Sequence, residues 1–172
     1  MAGADPALAH RVVRALDYAA TRRGSPEGLP DRVLQLLRER EADVEDTRLD
    51  WRGEIFRLLL ALDRGDVLEA TLRAWVEEAP EDVLWRTALA QILAASDRLA
   101  DAARAMQAAA AIATLAPAEY ESLAAWYLVL GDDVARRAAQ RARFDAMSEN
   151  ELASLLYQAQ SQTRRRRQSR HA

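Results

Sequence analysis

Between Leu49 and Arg143 one pattern is written three times, and it restricts the chain to a narrow set of folds. Trp51 and Trp85 stand at matching places in the first two copies. The turn pairs Gly65-Asp66, Ser96-Asp97 and Gly131-Asp132 recur at nearly even spacing. Pro80 and Pro117, each after an alanine, open the second and third units. A period of about 34 residues divided into two helical stretches is what an array of stacked helical hairpins produces. Each hairpin leaves an apolar face that only a neighbouring hairpin can cover, so the pattern requires several consecutive copies.

Composition supports helices and removes several kinds of chemistry. Half of the 172 residues are hydrophobic, chiefly alanine and leucine, with only 6 Gly and 5 Pro. These are strong helix formers, and the β-branched and aromatic residues of strands are scarce. Cysteine is absent, which excludes disulfides, thiolate chemistry and cysteine metal sites. All 24 basic residues are arginine. The missing lysine excludes a P-loop lysine and a Schiff-base lysine. Alanine and arginine without lysine read as the bacterial-like composition of a GC-rich genome. The formal charge of −3 is asymmetric: Arg164, Arg165, Arg166, Arg167 and Arg170 put +5 on the tail, leaving −8 on the body. That is not the even basic footprint of a nucleic-acid-binding domain.

In chain order, Asp5 and Pro6 suit the start of a helix that Gly24 stops, with Leu8, Val12, Val13, Leu16 and Ala20 on one stripe. After the loop 24–30, a second helix from about Asp31 carries Val33, Leu34, Leu36 and Leu37. It ends in the charged run Arg38–Asp46, read as a solvated connector. Residues 1–46 are thus expected as an N-terminal helical hairpin and 47–147 as three repeat hairpins. Their stripes include Trp51, Ile55 and Leu59 in the first, Leu84, Trp85, Leu89 and Met106 in the second, and Tyr120, Leu123, Tyr127, Val134 and Phe144 in the third. Ser148-Glu-Asn-Glu151 is a capping box that opens a helix over 148–162, whose Leu152, Leu155 and Leu156 would cover the end of the array. Residues 163–172 form an Arg-rich tail with too little apolar surface to order itself.

The second hairpin, with Trp85, Leu89-Ala90, Leu93, Ala102, Met106, Ala109 and Pro117, resembles the tetratricopeptide repeat (TPR) family in degenerate form. In that family a large residue and a Leu-small pair on the first helix precede a glycine turn, and Ala, a bulky residue and Ala follow on the second. Ser96-Asp97 replaces the glycine here, Phe56 stands near a small position in the first hairpin, and Arg136 or Ala135 must serve where alanine is usual in the third. The resemblance implies an all-α right-handed solenoid of antiparallel helical hairpins, with an N-terminal helix pair and a C-terminal capping helix. It also implies a protein-interaction or scaffold role, with a partner peptide or helix held in a concave groove. Carrying the groove-facing pattern over places Arg57, Thr87, Gln91, Glu121 and Ala125 in that groove.

No enzyme is expected. His10 and His171 cannot form a metal pair, and the carboxylates Glu77, Glu78, Glu81, Asp82, Asp132 and Asp133 sit at turns and helix ends, where solvated charge is usual. No cofactor, catalytic residue or metal site is read from the chain. Trp126 stands out as an interface residue, because it and Tyr127 point in different directions and one of them is expected to be exposed. The alternative function is an adaptor that binds nucleic acid or another polyanion through Arg164, Arg165, Arg166, Arg167 and Arg170, by salt-dependent phosphate contacts. No secretory signal or membrane span is visible, so the expected location is the cytoplasm and no membrane partner is foreseen.

Overall fold

A computed structural model describes residues 29–43, 48–154 and 157 of the chain. Among these residues the regular structure is entirely helical. The helices are α1 (Leu29–Asp43), α2 (Arg48–Ala61), α3 (Gly65–Glu78), α4 (Val83–Ala95), α5 (Leu99–Ala110), α6 (Pro117–Leu130) and α7 (Asp133–Asp145), and residues 149–154 are also helical. The helix expected over 6–23, Leu155 and Leu156 of the capping helix, and the arginine tail lie outside the described residues. The chain divides into two compact units, Met1–Thr71 and Leu72–Ala172.

In the first unit α1 packs against α2. Leu34, Leu37, Trp51, Ile55, Leu58, Leu59 and Leu68 are buried. The charged end of α1 is not merely a solvated connector. Glu41 accepts a hydrogen bond from Arg52 Nε at 2.7 Å, and both side chains are largely shielded from solvent. A buried ion pair costs desolvation for both partners, so its clear consequence is register: it ties a fixed position of α2 to the end of α1.

In the second unit α4 pairs with α5, α6 pairs with α7, and α5 also packs against α6. The cores of successive hairpins occupy the same register. Ile55, Leu89 and Leu123 are buried at equal intervals along the chain, as are Leu59, Leu93 and Tyr127. On the second helices Leu68 and Ala102 correspond, as do Leu72 and Met106, and all four are fully buried.

The turns show the period most sharply. In each, one residue takes the left-handed conformation: Asp63 (φ 52°), Asp97 (φ 60°) and Gly131 (φ 74°), spaced evenly by one repeat. The hydrogen bonds repeat as well. The N–H groups of Arg64, Arg98 and Asp132 donate to the carbonyls of Leu59, Leu93 and Tyr127 at 3.0, 2.9 and 3.0 Å. This is the Schellman closure that satisfies the last carbonyls of a helix. Gly65, which the sequence marks as the first turn glycine, begins α3 instead, and Asp63 carries the turn. Aspartate tolerates the left-handed region better than most residues, so glycine is not required there. At Gly131 a Cβ would meet strain but no neighbouring atom. Gly131→Ala should therefore cost about 1–2 kcal/mol, and Asp97→Gly should stabilise by a smaller amount; urea denaturation measures both.

The capping box at Ser148 is formed. Glu151 Oε2 accepts the Ser148 backbone N–H at 2.8 Å and its hydroxyl at 2.7 Å. The reciprocal bond, from Glu151 N–H to Ser148 Oγ, is longer at 3.4 Å. The hydrogen bond from the Ser148 side chain, followed by that from its backbone, holds the Glu151 carboxyl below its ordinary pKa. A carboxyl depressed in the folded state stabilises above its unfolded pKa, and that contribution is lost as pH falls through the folded value. The helical turn at 149–154 should accordingly fray in acid, below the usual glutamate range. Amide shifts of Glu151 and Leu152 followed by NMR against pH would show it, and Ser148→Ala should move the transition upward.

Candidate functional site

Of the carboxylates that the sequence groups together, Asp82 and Asp132 act as helix caps and Asp133 forms a local ion pair. Asp82 accepts the Leu84 N–H at 2.9 Å and starts α4. Asp132 accepts the Ala135 N–H at 2.9 Å and starts α7, while Asp133 pairs with Arg136 at 2.8 Å. Asp101 is held below its ordinary pKa, first by its hydrogen bond from Arg98 and then by the charges of Arg98 and Arg104. Tyr127 is pushed up by burial and by the nearby charge of Asp132. None of these arrangements gathers a nucleophile, a base and a dry cleft. Among the described residues no cluster of His, Cys, Asp or Glu could hold a metal ion. An open groove of about 640 Å³ lies between α1 and the start of α3. The Arg64–Asp31 ion pair at 2.9 Å stands on its edge, with Leu34 in its lining.

What the second unit does present is an exposed apolar helix face. Tyr120, Leu123, Ala124, Trp126 and Tyr127 are the buried residues of α6, because α6 packs against both α5 and α7. The remaining side carries Ala118, Glu121, Ala125, Leu128 and Val129, all exposed. Leu128 is 64% and Val129 72% exposed. Positions 121, 125 and 128 follow the i, i+4, i+7 spacing that aligns residues along one side of a helix. The corresponding register of α4, one repeat earlier, holds Leu84, Thr87, Gln91, Ala94 and Ala95. Leu84 is 53% exposed, and Gln91 and Ala95 are exposed with it.

The groove residues expected from the sequence fall into three situations. Gln91, Glu121 and Ala125 lie on these exposed faces, and Glu121 faces Arg143 Nη2 at 3.4 Å. Thr87 shares their register but is buried, its hydroxyl donating to the Leu84 carbonyl at 2.9 Å. Arg57, in the first unit, is exposed and donates to Glu54 on its own helix. Trp126 is buried at 8% exposure, and so is Tyr127 at 7%; two neighbouring helices cover both directions, so neither is a free aromatic. The polyanion candidates Arg164, Arg165, Arg166, Arg167 and Arg170 lie outside the described residues.

Sequence reasoning misses the apolar residues of this face. Leu84 reads as part of the buried stripe beside Trp85, yet the two are consecutive and point about 100° apart on a helix. Leu128 and Val129 follow Tyr127 without a break, and a continuous apolar run gives no periodic cue to separate core from surface. Val134 and Phe144, which the sequence assigns to the returning helix of the third hairpin, do lie on α7 but are exposed, whereas Ala139 is buried.

Comparison with known proteins finds likeness at the level of fold. No family model matches the sequence, and no curated protein matches it. Among solved structures, MamA AMB-1 P212121 aligns at a TM-score of 0.57 and 20% identity, covering 87% of this chain and 78% of its own. MamA MSR-1 C2 gives 0.55 and 18%, covering 83% and 77%. MamA RS-1 ArsTM double mutant gives 0.51 and 16%, covering 84% and 96%. MamA is a TPR-like helical repeat protein, so the all-α, TPR-like solenoid class expected from the hairpin pattern is the fold class of this chain.

Proposed function

We propose that the chain is a non-enzymatic, cytoplasmic protein-interaction module that holds a partner peptide or helix against the exposed faces of α4 and α6. The observation that carries this reading is the row Ala118, Glu121, Ala125, Leu128 and Val129, an exposed and largely apolar helix face on a TPR-like fold. Large apolar side chains left in water along one helix mark interaction surfaces more often than scattered single residues do. A partner helix laid along such a face is a recurring recognition mode. Gln91 and Glu121 would supply polar contacts at its edges. No helix among the described residues is long and apolar enough to cross a membrane.

The test is site-specific cross-linking in the source cell. A photoreactive residue at Leu128 should capture a discrete partner, and the same residue at the exposed Arg104 of α5 should not. Equal capture at both positions would end the proposal. The cross-link at Leu128 should survive deletion of residues 164–172; its loss with the tail would favour the polyanion reading instead.

A further inference from the structure

The exposed side of α6 carries one charge, and that charge is negative. Of Ala118, Glu121, Ala125, Leu128 and Val129 only Glu121 ionises. The helix as a whole contains two glutamates and no basic residue, and the other glutamate, Glu119, accepts the Ala116 N–H at its start. The matching register of α4 presents Leu84, Gln91 and Ala95, again without a cation. The Glu121 side chain is 63% exposed and that of Arg143, its neighbour on α7, only 28%, so the carboxylate is the outer member of the pair. The pair is also loose. Its separation of 3.4 Å exceeds the length of a charge-assisted hydrogen bond, and a carboxylate has several acceptor sites. Glu121 can therefore take a further donor without giving up Arg143.

The far end of the same strip is negative too. No basic residue stands in the last turn of α6, so its own side chains do not offset the partial negative charge of the helix C-terminus. Asp132 follows just beyond. It caps α7 through the Ala135 N–H and forms no ion pair among the described residues, while Asp133 and Arg136 next to it neutralise one another. At 1.5 Å of rise per residue, Glu121 stands about 13 Å from the end of α6, and Ala125, Leu128 and Val129 fill the interval. The strip is apolar in the middle and negative at both ends. In the described part of the second unit carboxylates also outnumber arginines, so the long-range field has the same sign.

Resting on the interaction module proposed above, we propose that the α6 face takes a basic amphipathic helix. Its apolar side chains lie on Ala125, Leu128 and Val129, and one Arg or Lys bonds Glu121. A second cation, about three turns away, approaches Asp132 and the end of α6. An uncharged helix laid there would strip water from Glu121 and return only the long contact to Arg143, and a carboxylate shut away from water without close partners is costly. An acidic helix would add repulsion at both ends. A basic one replaces the lost water at Glu121 with a charge-assisted bond, and the field of the unit steers it in.

A phage-displayed library of random peptides, panned against the whole chain, tests this directly. The selected peptides should carry Leu, Ile or Met at helical spacing and Arg or Lys at one fixed place beside them. For a synthetic peptide of the selected sequence, Glu121→Gln should weaken binding roughly tenfold or more, the loss expected for one hydrogen bond to a charged group. Leu128→Gln should weaken it by a similar factor through lost apolar contact. Glu77→Gln, which removes an exposed charge from α3, should leave binding unchanged and so separates the site from the general acidity of the chain. All three positions are exposed, and circular dichroism verifies that each variant keeps its helices. The proposal is overturned by no enrichment, by an acidic or uncharged residue at the fixed place, by equal losses from Glu121→Gln and Glu77→Gln, or by binding indifferent to Leu128→Gln. Specific cross-linking at position 128 combined with any of those results would leave the interaction module standing and remove only the basic helix.

Discussion

Trp85→Ala should destabilise the chain by about 3–5 kcal/mol, seen as a lower urea midpoint by far-ultraviolet circular dichroism. Trp85 is 4% exposed, as is Trp75, and the two rings meet at a centroid distance of 4.7 Å with their planes inclined at 53°. An inclined aromatic pair adds roughly 0.5–1.5 kcal/mol to the burial of the rings themselves. Trp75 ends the second helix of one hairpin and Trp85 opens the first helix of the next, so the pair fixes how α3 passes into α4. Trp85→Phe should retain much of the packing and lose less. A midpoint unchanged by Trp85→Ala would mean that the ring is not part of the packed interior.

The second large effect compares two positions in the same register. Ala102 on α5 is fully buried, and its counterpart one repeat later is Arg136 on α7, paired with Asp133 at the surface. Ala102→Arg would put a long cation into a space with no room and no counter-charge, and should cost more than about 3 kcal/mol. Arg136→Ala should change stability by no more than about 0.5–1 kcal/mol. Similar effects at the two sites, measured in urea, would mean that α5 and α7 are equally covered. The described surroundings of α7 say otherwise. Ala139 is its only buried residue, and Gln140 is exposed where Met106 is fully buried. Arg143 belongs to the same polar departure from the repeat, standing where Ala109 is fully buried one repeat earlier.

Much of this architecture is legible in the sequence. The spacing of Leu89, Leu93, Ala102, Met106 and Ala109 specifies two helices and the sides on which they meet, because each residue type matches the volume its register allows. The helix starts at Asp82, Asp132 and Ser148 are equally local, since a cap needs only a side-chain oxygen and the N–H groups just beyond it. The closing turns are harder to read. The left-handed residues Asp63 and Asp97 carry no glycine to announce them, and Gly65 marks a position just beyond the first turn.

Tertiary structure decided which apolar residues are covered. Consecutive residues such as Leu84 and Trp85, or Tyr127 and Leu128, differ little in hydrophobicity, and a helix burdened with both cannot show from its own sequence which side will find a neighbour. Trp126 and Tyr127 both disappear because α6 has packed helices on two sides. Leu128 and Val129 remain in water because no described part of the chain reaches them. The helices follow from local periodicity, whereas exposure depends on how many other helices arrive, and that number is set by contacts far apart in the chain.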